Sequence, residues 1–66
     1  MNMEMIGSNA GLVWNALNEN KTMNFKDLKK ATKLKEKELY CALGWLGREG
    51  KISIAEEEKD IVITLL

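Results

Sequence analysis

Seven lysines, Lys21, Lys26, Lys29, Lys30, Lys33, Lys35 and Lys37, fall within residues 21–37 and face only Asp27 and Glu36, a local charge of +5. A lysine cluster of this density is a means of holding phosphate: each ammonium neutralises one backbone charge and releases a counterion. The remaining charge runs the other way. Residues 1–20 carry −2, residues 38–51 balance, and residues 52–66 carry −3 from Glu56, Glu57, Glu58 and Asp60 against Lys59. The chain is neutral as a whole but electrically polarised, with a basic middle and an acidic tail.

Other chemistry lacks its parts. There is no histidine and one cysteine, so neither a Cys/His zinc set nor a Ser-His-Asp triad can be assembled. No phosphate loop of the GxxxxGK[ST] type occurs. The acidic cluster lacks the ligand spacing of a calcium loop and reads as a solvated turn. Cys41 is expected to be a small structural residue rather than a nucleophile. These absences predict a binding module with no catalytic, cofactor or metal site and no evident small-molecule substrate.

Sixty-six residues predict one domain, residues 1–66, with a small core. The single cysteine excludes an internal disulfide, which favours a reducing, cytoplasmic setting. No basic start followed by an apolar run marks a signal peptide, and no apolar stretch is long enough to span a membrane.

The elements that must position the lysines follow from periodicity. Ile6, Ala10, Val13, Trp14 and Leu17 share one helical face, which predicts a first helix over Met5–Asn18. Asn18–Lys21 is a polar break, and Thr22–Met23 a short extended piece. Asn24 is placed to cap a second helix, with Asp27 three residues on, ending near Thr32. Lys33 and Leu34 connect to a third helix over Lys35–Arg48, with Leu39, Ala42, Leu43 and Leu46 facing inward. Gly50 stands where a helix-terminating glycine belongs. The period then changes to two. Ile52 and Ile54, and later Ile61, Ile63 and Leu65, alternate with other residues around a polar turn, Glu56–Asp60. The second of these strands is apolar enough that Val62, Leu65 or Leu66 is expected to meet the first helix or a partner chain.

Helix, extended piece, helix, tight connector, helix and hairpin make an α+β, mainly helical, winged helix-turn-helix plan, with the C-terminal β-hairpin as wing and a short third strand near Thr22–Met23. The stretches IGSNAGLVWNAL (Ile6–Leu17), DLKKATKLKEKELYCALGWLGREGKI (Asp27–Ile52) and the acidic hairpin before IVITLL resemble a family of short bacterial winged helix-turn-helix domains of unassigned function. The resemblance covers nearly the whole chain and implies a nucleic-acid-binding architecture, without an established ligand or contact set. Lys35 departs from what the position asks for physically. A small acceptor such as Ser or Asp would cap the third helix; a lysine ammonium has no acceptor to offer.

On that plan the outward arc of the third helix holds Lys37, Cys41, Gly44 and Arg48, flanked by Tyr40 and Trp45. The nucleic-acid reading assigns Lys29, Lys30, Lys33, Lys35, Lys37, Tyr40 and Arg48 to contacts with duplex DNA, in a transcription-related role. The alternative is a protein-interaction or homodimerising module using Tyr40, Cys41, Gly44 and Trp45, since aromatic residues are enriched at interface cores. The lysines can also be read as no more than a solvated face, and the acidic hairpin tip and the absence of Asn, Gln or Ser on the arc favour that reading over contacts with DNA. Trp14 and Trp45 are both expected in the core, and Gly47 is expected to let the first helix or hairpin come near. Gly44 is not called for by core packing.

Overall fold

The first helix starts where Asn2 can cap it: the Asn2 side-chain oxygen accepts from the Met5 N–H at 2.9 Å. In the computed structural model, which describes residues 1–66, helix α1 therefore runs Met3–Asn20, two residues longer at each end than its apolar repeat predicts. At its far end the Asn20 amide donates to the Ala16 carbonyl at 3.0 Å, so the expected polar break is helical as far as Asn20. Only Lys21 turns the chain. It adopts φ 68°, ψ −50°, and its N–H donates to the Leu17 carbonyl.

Strand β1 (Thr22–Asn24) leads directly into helix α2 (Phe25–Thr32). Asn24 ends the one and caps the other, its side-chain oxygen accepting from the Asp27 N–H at 2.8 Å. Helix α2 stops at Lys33, which is left-handed (φ 60°, ψ 20°) and returns its N–H to the Lys29 carbonyl at 2.9 Å. A non-glycine residue held there costs on the order of 1–2 kcal/mol. The buried Leu34 side chain offsets that cost by pinning the turn to the core.

Helix α3 spans Glu36–Arg48. Lys35 occupies the cap position in extended geometry and makes no side-chain cap. Glu38 compensates from inside the helix, its carboxylate accepting from the Lys35 N–H at 2.8 Å. This is the reciprocal half of a capping box without the forward half. At the other end Gly50 has φ 72°, the Lys51 N–H reaches the Leu46 carbonyl at 3.0 Å, and the Gly50 N–H reaches Gly47 at 3.1 Å. That pattern is a Schellman motif, and only glycine enters its left-handed position without strain.

Strands β2 (Ile52–Glu57) and β3 (Asp60–Leu65) form the wing. The expected turn, Glu56–Asp60, contracts to Glu58 and Lys59, because Glu56 pairs with Ile61 and Glu57 with Asp60. The sheet is antiparallel in the order β1-β3-β2, so β3 is its only strand paired on both sides. Register places Met23, Ile63 and Ile54 in one row, Ile52 beside Leu65, and all of these on the helix-facing side. Ile63 is fully buried, whereas Ile54, on the open edge strand, stays 49% exposed. Of the three late apolar residues, Leu65 packs on the core, Val62 lies half-buried on the outer sheet face, and Leu66 is 70% exposed.

The core is eleven side chains: Ala10, Val13 and Leu17 of α1, Leu28 of α2, Leu34 of the turn, Leu39, Ala42, Leu43 and Leu46 of α3, and Ile52 and Ile63 of the sheet. Every one is apolar. Trp45 packs against this cluster from its margin, but Trp14 does not join it. Stability at this size is of the order of 3–10 kcal/mol, from about 0.05–0.15 kcal/mol per residue. Leu28 is the one fully enclosed residue of α2, so Leu28→Ala is expected to cost about 2–5 kcal/mol. A lower urea midpoint at unchanged m checks this.

Candidate functional site

Helix α2, the turn Lys33–Lys35 and the first turn of α3 carry most of the basic charge. Their apolar anchors, Leu28, Leu34 and Leu39, point inward and leave the lysines outside. Lys29 and Lys30 lie in the last turn of α2, Lys33 and Lys35 flank Leu34, and Lys37 lies in the first turn of α3. All five are exposed, and none forms an ion pair. The chain's one salt bridge joins Lys51 to Glu49 at 3.7 Å, elsewhere on the surface and in solvent. Ten cations and ten anions thus produce one pair. The lysine charge is spent on nothing within the molecule.

Tyr40, one turn beyond Glu36 on α3, is exposed and stacks on Phe25 of α2 with ring centroids 4.7 Å apart and planes tilted by 32°. That contact ties the two helices of the pair and limits the ring's freedom. Cys41 is half-buried and Gly44 exposed, with nothing within 4 Å of the position a Cβ would take. Arg48 is exposed in the last turn. The structure brings Lys29, Lys30, Lys33, Lys35, Lys37 and Tyr40 together around the helix-turn-helix. It leaves Arg48 at the other end of α3, eleven residues from Lys37 and about 16 Å along the axis.

Two expectations need correction. Gly47 admits no neighbouring element: the space around it is open, because α1 meets α3 on the opposite flank. Trp14 is not a core residue but is 37% exposed. It lines a groove of about 260 Å³ between α1 and α3, together with Gly7, Gly11, Trp45, Glu49 and Lys51. Trp45 lies over Gly7, its Cζ2 3.8 Å from where a Cβ there would stand. Met3, 64% exposed, continues the groove toward Arg48. Trp45 therefore points toward α1, away from the arc on which Cys41 and Gly44 sit. The spacing Met3, Gly7, Gly11, Trp14 carried this signal: small residues at i and i+4 between two large ones make a notch on one helix flank.

Three helices, a tight turn between the second and third, and a three-stranded antiparallel sheet ending in a hairpin define a winged helix-turn-helix protein. Residues 1–65 match the family described as winged helix-turn-helix domain (DUF2582), and the chain belongs to that family. Among solved structures it is similar to the solution NMR structure of protein BT2368 from Bacteroides thetaiotaomicron. The two are 35% identical, over 98% of this chain and 79% of that one, with a TM-score of 0.86. No curated protein matches.

Gly44 is a helix-interior glycine with no steric reason inside the chain. Gly44→Ala is expected to stabilise the protein by a few tenths to about 1 kcal/mol, through helix propensity and a less flexible unfolded chain. Urea denaturation checks the sign.

Proposed function

We propose that this protein is a DNA-binding module of transcription-related function, acting in the cytoplasm without catalysis or cofactor, and that it holds duplex DNA through its helix-turn-helix. The observation that carries this reading is the concentration of exposed lysines on α2, the turn and the start of α3. A solvated lysine face on a neutral chain would be distributed among the acids; this one is concentrated on the element pair that docks in a major groove. Lys29, Lys30, Lys33 and Lys35 contact backbone phosphates, and Lys37 enters at the N-terminal end of α3. Tyr40, steadied by Phe25, donates its hydroxyl to a phosphate, and Arg48 meets the backbone at the far end. The wing tip stays off the duplex, since Glu56, Glu57, Glu58 and Asp60 outnumber Lys59 there. Titrating mixed-sequence duplex into isotope-labelled protein is expected to shift amides between Lys29 and Arg48 at low salt. The effect should decline steeply as salt rises, by about 0.9 log units of affinity per log unit of salt for each phosphate engaged. Amides that stay in place at low salt would sink the reading.

A second reading, protein docking or self-association, draws on a different observation. Five of the eight exposed large apolar side chains, Met1, Met3, Met5, Leu12 and Trp14, lie on α1 or at its start. Met3 and Trp14 border the groove in which Trp45 lies. Aromatic and Met enrichment with few charges is the composition of an interface core. Tyr40, Cys41 and Gly44 lie on the outer arc of α3 and would form a separate patch. Sedimentation velocity across a hundredfold concentration range is the check: self-association through α1 raises the average mass, and Trp14→Ala abolishes the rise. A monomer at every concentration rejects self-association.

A further inference from the structure

We infer that the third helix reads no base sequence, and that the protein engages duplex DNA of any sequence with near-equal affinity through phosphate contacts alone. This rests on the DNA-binding reading above and extends it to what that face can distinguish.

Discrimination among base pairs in the major groove needs particular side chains at base edges: Arg or Lys for guanine, Asn or Gln for adenine, Asp or Glu for cytosine. Helix-turn-helix proteins present them at the N-terminal end of the recognition helix. Here the outward arc of α3 is Lys37, Cys41, Gly44 and Arg48. It holds neither Asn nor Gln. Lys37 is a mobile point charge without the planar fork that makes a guanine contact directional. The one such fork, on Arg48, stands in the last turn, about 16 Å from Lys37. Between them lie a half-buried thiol and a glycine that presents no side chain. The acids of the first turn do not fill the gap. Glu38 is engaged on the Lys35 N–H, and Glu36 lies off the arc on the Tyr40 flank.

The wing closes the other route to specificity. Shape readout relies on Arg or Lys inserted where the minor groove narrows. The hairpin runs two residue pairs beyond the end of β1, Glu56 with Ile61 and Glu57 with Asp60, so the part of the wing that projects from the sheet is its most acidic part. The remaining attraction is Coulombic and is the same for every sequence. What the arc does provide is clearance at its centre, where Gly44 presents no side chain.

The test measures affinity for three duplexes of equal length, all A·T, all G·C and mixed, by fluorescence anisotropy at low salt. It adds repeated selection from a random duplex pool. The expected result is affinities within about threefold of one another and a selected pool that stays random. Lys37→Ala should weaken all three duplexes by the same factor. The combined Glu56→Gln, Glu57→Gln, Glu58→Gln variant should strengthen all three alike. An enriched motif, a tenfold or larger preference, or a Lys37→Ala loss confined to G·C-containing duplexes would overturn base-independence while leaving DNA binding standing. Failure to bind any of the three would instead overturn the DNA-binding reading itself.

Discussion

Eleven apolar side chains, none of them polar or charged, hold this molecule together, and every other feature is arranged around that constraint. A chain of this size cannot enclose an ion pair cheaply, because taking two charges out of water costs several kcal/mol per ion. All twenty charged residues are therefore at or near the surface. The helices decide where each sign collects. Helix α2 has only two turns and buries Leu28 alone. Its remaining positions are free for Lys26, Lys29 and Lys30. The sheet turns Met23, Ile52, Ile61, Ile63 and Leu65 toward the core, and its hairpin tip, beyond the reach of the helices, takes the acids.

The turns obey the same economy. Lys21 and Lys33 both adopt positive φ, where glycine would be the unstrained choice. Each nevertheless closes a helix with a backbone hydrogen bond and launches the next element in the right direction. Lys21 also accepts from the Leu65 N–H at 2.8 Å, tying the end of the last strand to the end of the first helix. Lys33 keeps a cation at the helix-turn-helix corner where glycine would remove it. The strained positions and the charged positions coincide. At Lys35 a poor cap is likewise kept, and Glu38 takes over the capping from within the helix. These are the places where local preference yields to tertiary context.

Two surfaces emerge, on different sides of α3. The lysine face belongs to α2 and the N-terminal end of α3. The indole groove belongs to α1 and the C-terminal half of α3. Trp45 falls to the second because its ring lies over Gly7 of α1. Gly44 belongs to neither element contact. A DNA duplex on the first face and a protein on the second would not compete for the same side chains, apart from those near Arg48.

The sequence by itself determined the order and type of every element. The 3.6-residue repeat of Ile6–Leu17 marks a helix by itself, whereas the apolar run Ile61–Leu65 is marked as a strand by its shortness, its β-branched residues and the polar turn before it. Asn24 and Gly50 also announced their roles, since capping and left-handed geometry are local properties of one residue and its neighbours. The lysine cluster was legible too, because adjacent basic residues on two short helices must share a region. Tertiary structure decided the rest. Whether an indole is covered depends on what the fold brings opposite it, so Trp14 reads as core from its own helix and stands half-open beside α3. Gly47 reads as a close approach and faces open space, because the crossing of α1 over α3 selects the other flank. The hairpin turn shortened to two residues because cross-strand pairing continues past the apolar residues into Glu56 and Glu57, and hydrogen bonds between strands are indifferent to hydropathy.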